Sequence, residues 1–329
     1  MQPFLQGKRV LITGGGGSIG SELCRQAAAQ KPAALAAADV SENGLFAVQQ
    51  ELWERYGPDV PFQAVIASIR DRGRIEQLVS SFRPDIILHA AAHKHVPFME
   101  RFPEEAVKNN ILGTWNVIQA AEQADVERLV LISTDKAVEP QSVMGASKRV
   151  TERMLLPGRT IKAAVRFGNV VDSAGSVLPL FRRQIAEGGP VTVTDPRMTR
   201  YFMSIPEAAG LVLEAARLGE NGGLFVLDMG EPVSILALAE KLVRESGRTD
   251  VPIRFTGLRP GERLEERLLT PEEKQTAVRM GKILRVKTDP FRPEELENLL
   301  RRFQDAAQAG NREEIFSLLK EAVPDYQRK

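Results

Sequence analysis

Two short segments of the sequence carry side chains that can move protons. Thr134, Asp135 and Lys136 directly follow an apolar run, residues 128–133. A carboxylate and an amine at the carboxyl end of a strand can supply two proton-transfer groups, an acid and a base. Lys148 follows near the start of a predicted helix. The alternative interpretation is a solvated Asp-Lys pair in a surface loop, which would do no chemistry.

A glycine pattern near the start of the chain predicts a phosphate-binding turn. Gly14, Gly17 and Gly20 lie three residues apart, after the apolar run 8–13 and before a helical pattern at 18–30. Without Cβ atoms, such a turn lets a pyrophosphate reach the free N–H groups of the helix, whose positive dipole end favours anions. The flanking strand and helix favour a dinucleotide site over a merely tight turn. The expected cofactor contacts in this turn are Gly14, Gly17, Ser18, Ile19 and Gly20.

The following strands indicate which dinucleotide binds. Asp39 ends the second predicted strand about twenty residues after the glycines, where a carboxylate accepts hydrogen bonds from the adenosine ribose. This favours a tightly bound, recycled NAD over NADP, although Ser41 and a nearby arginine could still bind the 2′-phosphate of NADP. Asp39 as a plain turn residue is the competing interpretation. Ser68 and Ile69 follow the third strand, near the expected adenine, and Ala90 lies at the end of the fourth, so all three are expected cofactor contacts.

These segments belong to an alternation of short apolar runs and amphipathic helical stretches. Repeated alternation of this kind predicts an α/β Rossmann fold, a doubly wound parallel sheet with helices on both faces. The predicted strands are residues 8–13, 33–39, 62–66, 85–91, 128–133 and 162–167, and the predicted crossover helices include 71–82, 104–123 and 147–156.

Beyond Gly168, prolines and glycines become frequent, which predicts loops and a smaller C-terminal substrate-binding lobe. We place the NAD-binding domain at residues 1–168, with 222–246 returning to the sheet, and the substrate lobe at 169–221 and 247–329. Within these ranges we predict strands at 225–229 and 282–286 and helices at 234–246, 293–305 and 312–323.

The bulk composition excludes several classes of protein. The chain has 329 residues, 43% of them hydrophobic, and a formal net charge of +1. It therefore gives no case for disorder, a nucleic-acid surface or a membrane patch. Its one cysteine, Cys24, excludes an intramolecular disulfide. No stretch approaches the roughly 18 apolar residues of a membrane span, so we expect a cytoplasmic protein. Because no cysteine or carboxylate cluster accompanies His93 and His95, we expect no metal.

The glycine spacing, the Ser133-Thr134 pair and Lys148 resemble the extended short-chain dehydrogenase/reductase superfamily. In that superfamily a serine or threonine, a tyrosine and a lysine surround the nicotinamide. Met144 stands here in place of the tyrosine. Together with Asp135-Lys136, this departure resembles the UDP-N-acetylglucosamine 4,6-dehydratases of bacterial polysaccharide biosynthesis. The matching segments cover nearly the whole chain and include 93–100 (HKHVPFME), 133–148, 166–169 (RFGN), 198–203 (MTRYFM) and 257–262 (GLRPGE).

The resemblance implies a lyase reaction without net redox change. Hydride leaves C4 of the sugar for NAD, the new ketone acidifies the C5 hydrogen, water leaves from C6, and the hydride returns to C6. Lys136 is the expected base and Asp135 the expected acid, and we expect burial and the Lys148 ammonium to lower the pKa of Lys136. Lys148 would also bond the nicotinamide ribose. Thr134, helped by water, would orient or relay the C4 hydroxyl proton, because Met144 cannot take it.

In that branch the methionine form is associated with membrane-anchored enzymes that retain the C5 configuration. This sequence shows no membrane-spanning stretch, so we expect a free-standing catalytic domain of the retaining kind. Asn169, Arg200, Arg259 and Glu262 suit the UDP group, since arginines pair with a diphosphate and the others can bond ribose or uracil. Lys94 can reach the sugar or its phosphate. Three alternatives remain: an inverting dehydratase, a nucleotide-sugar 4-epimerase, and a Rossmann protein that only senses dinucleotides. By analogy with relatives, we also expect a homo-oligomer.

Overall fold

A computed structural model describes residues 3–248 and 250–328, so the outer ends of the predicted domains, residues 1 and 329, lie outside the described part. The strands are β1 (Arg9–Thr13), β2 (Ala34–Asp39), β3 (Phe62–Ile66), β4 (Ile86–His89), β5 (Arg128–Ile132), β6 (Ile161–Arg166), β7 (Asn169–Val170), β8 (Val191–Val193), β9 (Thr199–Arg200), β10 (Phe202–Met203), β11 (Gly223–Leu227), β12 (Val233–Ser234), β13 (Ile253–Phe255), β14 (Val278–Met280) and β15 (Ile283–Val286).

The helices are α1 (Ser18–Ala29), α2 (Glu42–Tyr56), α3 (Arg72–Phe82), α4 (Val96–Arg101), α5 (Pro103–Glu105), α6 (Thr114–Gln123), α7 (Val143–Arg153), α8 (Val177–Ala186), α9 (Ile205–Leu218), α10 (Ile235–Glu245), α11 (Pro271–Thr276), α12 (Pro293–Gln308) and α13 (Arg312–Ala322). A π-helical segment, Ala106–Gly113, joins α5 to α6, and a 3-10 turn spans Asp135–Ala137. None of the described helices is long and apolar enough to cross a membrane.

Nine strands form one central sheet in the order β14-β15-β11-β6-β5-β4-β1-β2-β3. The strands from β3 to β11 in this order are all parallel, and β15 and β14 extend one edge in antiparallel fashion. The connections change direction between β1 and β4, which is the point where α/β sheets open a crevice for ligands. The predicted α/β Rossmann class is confirmed.

The two faces of the sheet pack into separate cores, because successive residues of a strand point to opposite faces. On one face, Val10 and Ile12 pack with α1, α2 and α9. On the other, Leu11 belongs to a cluster with α3, α6, α7, α12 and α13. A third cluster, formed by α8, β8 and α10, is the core of a smaller lobe.

The packing boundaries differ from the predicted domain boundaries at four helices. Helix α9, placed in the substrate lobe, packs on the sheet, because its buried face, including Ala208 and Val212, belongs to the same cluster as β1. Helix α10, expected to return to the sheet with β11, packs instead against α8 and β8. Helices α12 and α13, also placed in the substrate lobe, complete the core on one face of the sheet.

Two predicted helices have different limits in the structure. The predicted helix 104–123 is divided by the π-helical segment, and wide turns of this kind are frequent at functional sites. There, Asn110 donates to the Ser147 hydroxyl at 3.0 Å and to the His93 carbonyl at 3.0 Å. The predicted helix 147–156 begins earlier, at Val143, because the Ser142 hydroxyl caps it by accepting from the Gly145 amide.

Candidate active site

The glycine turn after β1 has no room for a side chain at two of its positions, Gly14 and Gly20. A Cβ atom on Gly14, whose φ is +74°, would lie 2.5 Å from the Ala91 amide nitrogen and 2.8 Å from the Ala90 carbonyl oxygen. A Cβ on Gly20 would overlap the Gly14 carbonyl oxygen. Gly17 is the first residue before α1, and no described side chain caps this helix end. Its first N–H groups therefore remain available to an anion, as predicted for a pyrophosphate.

Asp39 is bonded to the glycine turn. Its carboxylate accepts hydrogen bonds from the amides of Gly16 and Ser41, each at 2.9 Å. The Ser41 hydroxyl caps α2 by accepting from the Gly44 amide at 3.1 Å. Each carboxylate oxygen keeps a second lone pair, so Asp39 can still accept from a ribose hydroxyl. The predicted ribose contact is therefore compatible with the geometry.

The other expected cofactor residues line the same edge of the sheet. The Ser68 hydroxyl accepts from the Arg70 amide at 3.2 Å, and buried Ile69 packs against Gly113 of the π-helical segment. The Ser18 hydroxyl, at the start of α1, accepts from the Ala174 amide at 3.0 Å. This contact places the loop after β7 over the glycine turn.

The Asp-Lys pair after β5 is buried rather than solvated. Asp135 has no exposed surface, and its Oδ1 accepts from Lys136 Nζ at 2.9 Å and from the Thr134 hydroxyl at 2.9 Å. Lys136 also donates to Asn169 Oδ1 at 3.3 Å. The Asp135 amide is held by the Phe167 carbonyl, which fixes the 3-10 turn against the end of β6. The predicted proton-transfer groups therefore meet in one place.

The expected lowering of the Lys136 pKa is wrong. Burial lowers the pKa of Lys136, but the carboxylates of Asp135 and Glu266 together raise it, and the net direction is upward. Glu266 Oε1 lies 3.6 Å from Lys136 Nζ. Lys148, which we expected to depress this pKa, lies instead beside His89 and Glu152. The sequence prediction failed because Glu266 is far away in the sequence.

Lys148 projects from α7 into a buried environment. Burial lowers the pKa of Lys148 to about 8, against the opposing charge of Glu152. Burial, with a smaller contribution from the Lys148 charge, lowers the pKa of His89 to about 3, so this histidine is neutral. The His89 ring is held between the hydroxyls of Thr13 at 2.6 Å and Thr114 at 2.9 Å. Lys148 is thus placed at the carboxyl ends of β1 and β4.

Met144 lies one helical turn before Lys148 and is 3% exposed. Residues four apart lie on the same face of a helix. The start of this helix is fixed by Glu100, whose Oε1 accepts from the Val143 amide at 2.7 Å. A thioether cannot exchange protons, so any proton transfer beside Lys148 depends on other groups.

A buried network of ion pairs, which was not predicted from the sequence, holds together the elements that carry this site. Arg166 has no exposed surface and donates to Glu152 Oε2 and to Glu273 Oε2, each at 2.7 Å. Glu152 also accepts from the Ser133 hydroxyl at 2.6 Å. The network ties β5, α7, β6 and α11 together. The position of Glu152, one turn after Lys148, was the available sequence indication.

The expected substrate residues are only partly brought together. Asn169 touches Lys136, whereas the Lys94 ammonium donates to the Ala174 carbonyl at 2.8 Å. Arg200 is 7% exposed, and its guanidinium donates to the carbonyls of Thr199, Leu264 and Arg263. It therefore fixes the loop around residue 264, and its predicted contact with a diphosphate stays a prediction.

Arg259 and Glu262 lie in an exposed loop. The Glu262 carboxylate accepts from the Arg259 amide at 3.0 Å. Gly261 packs closely on Ser142, at the start of α7. Their predicted contacts with a nucleotide stay predictions. Among the described residues no group of three histidine, cysteine or acidic side chains is placed to hold a metal.

Comparison with known proteins gives a family. The family described as polysaccharide biosynthesis protein matches residues 10–288. The capsular polysaccharide biosynthesis protein CapD of Staphylococcus aureus is 49% identical over 294 residues, which cover 87% of this chain and 49% of CapD. The chain thus spans about half the length of that relative.

Two further relatives match over most of their length. A UDP-glucose 4-epimerase of Rickettsia canadensis is 34% identical over 86% of this chain and 83% of that protein. The X-ray structure of Pen from Bacillus thuringiensis superposes with a TM-score of 0.81 and 32% identity, covering 91% of this chain and 98% of Pen. Since the family match extends over most of the sequence, the chain belongs to the polysaccharide biosynthesis protein family.

Proposed function

We propose that this chain is a UDP-N-acetylglucosamine 4,6-dehydratase that uses NAD and retains the configuration at C5. The observation that carries the proposal is the buried Asp135-Lys136 pair at the end of β5, with Thr134 bonded to the same carboxylate. The elimination needs a base for the C5 hydrogen and an acid for the C6 hydroxyl, and an epimerisation at C4 needs neither of these two groups. Membership of a polysaccharide biosynthesis family supports a nucleotide sugar as the substrate class.

A nicotinamide dinucleotide fits the residues present. Gly14 and Gly20 leave room where a Cβ would clash, and the uncapped start of α1 offers amides to a pyrophosphate. When bound, the cofactor would accept the C4 hydride and later return it. Asp39 supports NAD over NADP, because its carboxylate would repel a 2′-phosphate. Lys148 would bond the nicotinamide ribose.

The C4 hydroxyl proton has a path through Thr134. Asp135 is fully buried, so it exchanges protons with the sugar by way of the Thr134 hydroxyl, which lies 2.9 Å from it. The proton that leaves the C4 hydroxyl is stored on Asp135 and then given to the C6 hydroxyl as that group departs. The proton from C4 and the hydroxide from C6 make up the water that is lost.

Lys136 is the base for C5. Its side chain is 21% exposed and is the accessible member of the pair. The amine takes the C5 proton once the C4 ketone has acidified it, and the same ammonium returns a proton to the same face of the sugar. Return to the same face retains the configuration. Met144 supports this outcome, since a thioether cannot deliver a proton from elsewhere.

A nucleotide-sugar 4-epimerase is the second candidate, favoured by the epimerase relative. Mass spectrometry of UDP-N-acetylglucosamine incubated with the purified chain separates the two. A dehydratase gives a product that is lighter by one water, whereas an epimerase gives a product of unchanged mass. Untouched substrate and bound NAD together would favour a dinucleotide-sensing protein.

A further inference from the structure

Glu266 is a buried acidic residue without an assigned role. Its side chain is 4% exposed, its Oε1 lies 3.6 Å from Lys136 Nζ, and no described residue bonds its Oε2. Burying a carboxylate oxygen without a partner costs free energy, and groups of this kind in native proteins call for an explanation. Glu266 follows the 257–262 segment in sequence but faces the turn after β5.

The charges around Glu266 leave Lys136 as its one mobile partner. Arg200 Nε lies 3.8 Å from Glu266 Oε1, but the rest of that guanidinium is fixed by three backbone carbonyls. Arg263 is a more distant cation, and its guanidinium donates to the Val138 carbonyl. Asp135 brings a second carboxylate to Lys136. Two carboxylates and one flexible ammonium therefore share a buried space.

The proposed reaction requires a particular distribution of protons in this cluster. Lys136 has to be neutral to take the C5 proton, and Asp135 has to be ionised to take the C4 hydroxyl proton. The proton of the Lys136 ammonium must therefore be held elsewhere while the sugar reacts. Of the groups facing Lys136, namely Asp135, Glu266, Arg200 and Asn169, only Glu266 is left to accept it.

We propose that Glu266 is a positioning residue that accepts the proton of Lys136 and so delivers the neutral base within the closed cluster. The inference rests on the proposed dehydratase function. The Lys136 ammonium loses a proton and becomes an amine, and the Glu266 carboxylate gains it and becomes an acid. A movement of under about 1 Å brings Nζ and Oε1 to hydrogen-bond distance. Burial raises the pKa of Glu266, the Lys136 charge opposes this rise and the Asp135 charge adds to it, and the net direction is upward, which favours the protonated form.

An internal acceptor makes the deprotonation of Lys136 independent of bulk pH. At the end of the cycle Lys136 is again an amine, Asp135 is again ionised, and Glu266 still holds its proton. With glutamine at position 266, the Lys136 proton has to leave to solvent instead. The rate should then rise with pH in proportion to the neutral amine, about tenfold per pH unit below the Lys136 pKa.

The test compares Glu266→Gln with Glu265→Gln, a neighbouring glutamate whose side chain is exposed. The exchange of the C5 hydrogen of UDP-N-acetylglucosamine is followed between about pH 6 and pH 7.5, below the Lys148 pKa of about 8. We expect flat profiles for the native chain and for Glu265→Gln, and a steep rise for Glu266→Gln. A flat profile for Glu266→Gln would overturn the proposal, because Asp135 would then be the acceptor. A purely structural role would lower the rate without changing the profile.

A second measurement needs no substrate. Competitive labelling with acetic anhydride, read by peptide mass spectrometry against exposed Lys274, reports the neutral fraction of Lys136. If Glu266 takes the Lys136 proton, the neutral fraction of Lys136 should stay constant between about pH 6 and pH 7.5 in the native chain and in Glu265→Gln. In Glu266→Gln it should rise about tenfold per pH unit. The same pH dependence in both variants overturns the proposal. If the native chain does not exchange C5 hydrogen, the dehydratase function fails, and labelling still decides the link between Glu266 and Lys136.

If Glu266→Gln does not fold, Glu266→Asp provides an alternative test of the same proposal. Shortening the side chain by one methylene moves the carboxylate away from Lys136 and keeps its charge. The neutral fraction of Lys136 should then rise with pH, as in Glu266→Gln, because Nζ no longer reaches the acceptor. A neutral fraction as constant with pH as that of the native chain would contradict the proposal.

Discussion

Replacing Thr134 with valine tests the proton path between the sugar and Asp135. Valine keeps the shape of threonine and removes the hydroxyl that lies 2.9 Å from Asp135 Oδ1. Asp135 keeps its 2.9 Å contact with Lys136. The folded state loses the bond from the Thr134 hydroxyl to Asp135 and the 3.4 Å bond that this hydroxyl accepts from the Lys136 amide, together worth about 2 kcal/mol. A chain of this length should then melt only a few degrees lower. Loss of a positioned proton-transfer group costs about 10²- to 10⁴-fold in rate, or about 3 to 5 kcal/mol. The effect on catalysis should therefore far exceed the effect on folding.

The assay for Thr134→Val is kcat and KM for UDP-N-acetylglucosamine, followed by NMR, beside a thermal melt. We expect kcat to fall by at least about a hundredfold, with KM within a few-fold of the native value. Thr134→Ser, which restores the hydroxyl, should recover kcat to within about tenfold. If Thr134→Val kept kcat within about fivefold of the native chain, the C4 proton would leave by another route and the assigned path would be refuted.

Three further predictions address the cofactor, the pH profile and the supporting network. Gly20→Ala should abolish NAD binding in calorimetry, because its Cβ overlaps a backbone oxygen, whereas Gly73→Ala, with its nearest neighbour 3.8 Å away, should bind normally. Since burial lowers the pKa of Lys148 to about 8, activity should fall above that pH, and Lys148→Arg, if active, should keep its activity there. Glu152→Gln should lower the free energy of unfolding by about 3 to 5 kcal/mol in urea, against little change for exposed Glu240→Gln. The Arg166 charge holds the pKa of Glu152 at about 2, below its ordinary 4.5, against the effect of burial, so this stabilisation is present above pH 4.5 and lost as pH falls toward 2. The free energy of unfolding of Glu152→Gln should therefore depend less on pH below 4.5 than that of the native chain. An unchanged pH dependence would contradict this.

The sheet could be predicted because its central strands are buried on both faces. Short apolar runs such as β1 and β4 are continuous rather than alternating, and a glycine turn after the first run fixes where the crevice opens. The order of the outer strands, the antiparallel pairing of β15 and the strand β14 were not predicted, since pairing between distant segments leaves no local pattern. The same limit explains α9 and α10, whose apolar faces show burial but not what buries them.

Within the candidate site, residues adjacent in sequence were found and residues joined only by the fold were missed. One segment contains Thr134, Asp135 and Lys136, so the sequence alone predicts that these side chains lie close together. Glu266 and Glu273 lie in charged stretches typical of solvated surface, and nothing local shows that they turn inward. The error in the Lys136 pKa follows directly, because Glu266 supplies one of the two charges that raise it.

Proton NMR of UDP-N-acetylglucosamine incubated with the purified chain in deuterated water tests the central claim most directly. The proposed mechanism predicts a 4-keto-6-deoxy product that carries deuterium at C5 and keeps the ring couplings of the starting configuration, because Lys136 exchanges its protons with solvent and returns one to the same face. Dehydration with inverted C5, or without deuterium at C5, would contradict the role of Lys136. A product of unchanged mass with an altered C4 signal would contradict the dehydratase itself.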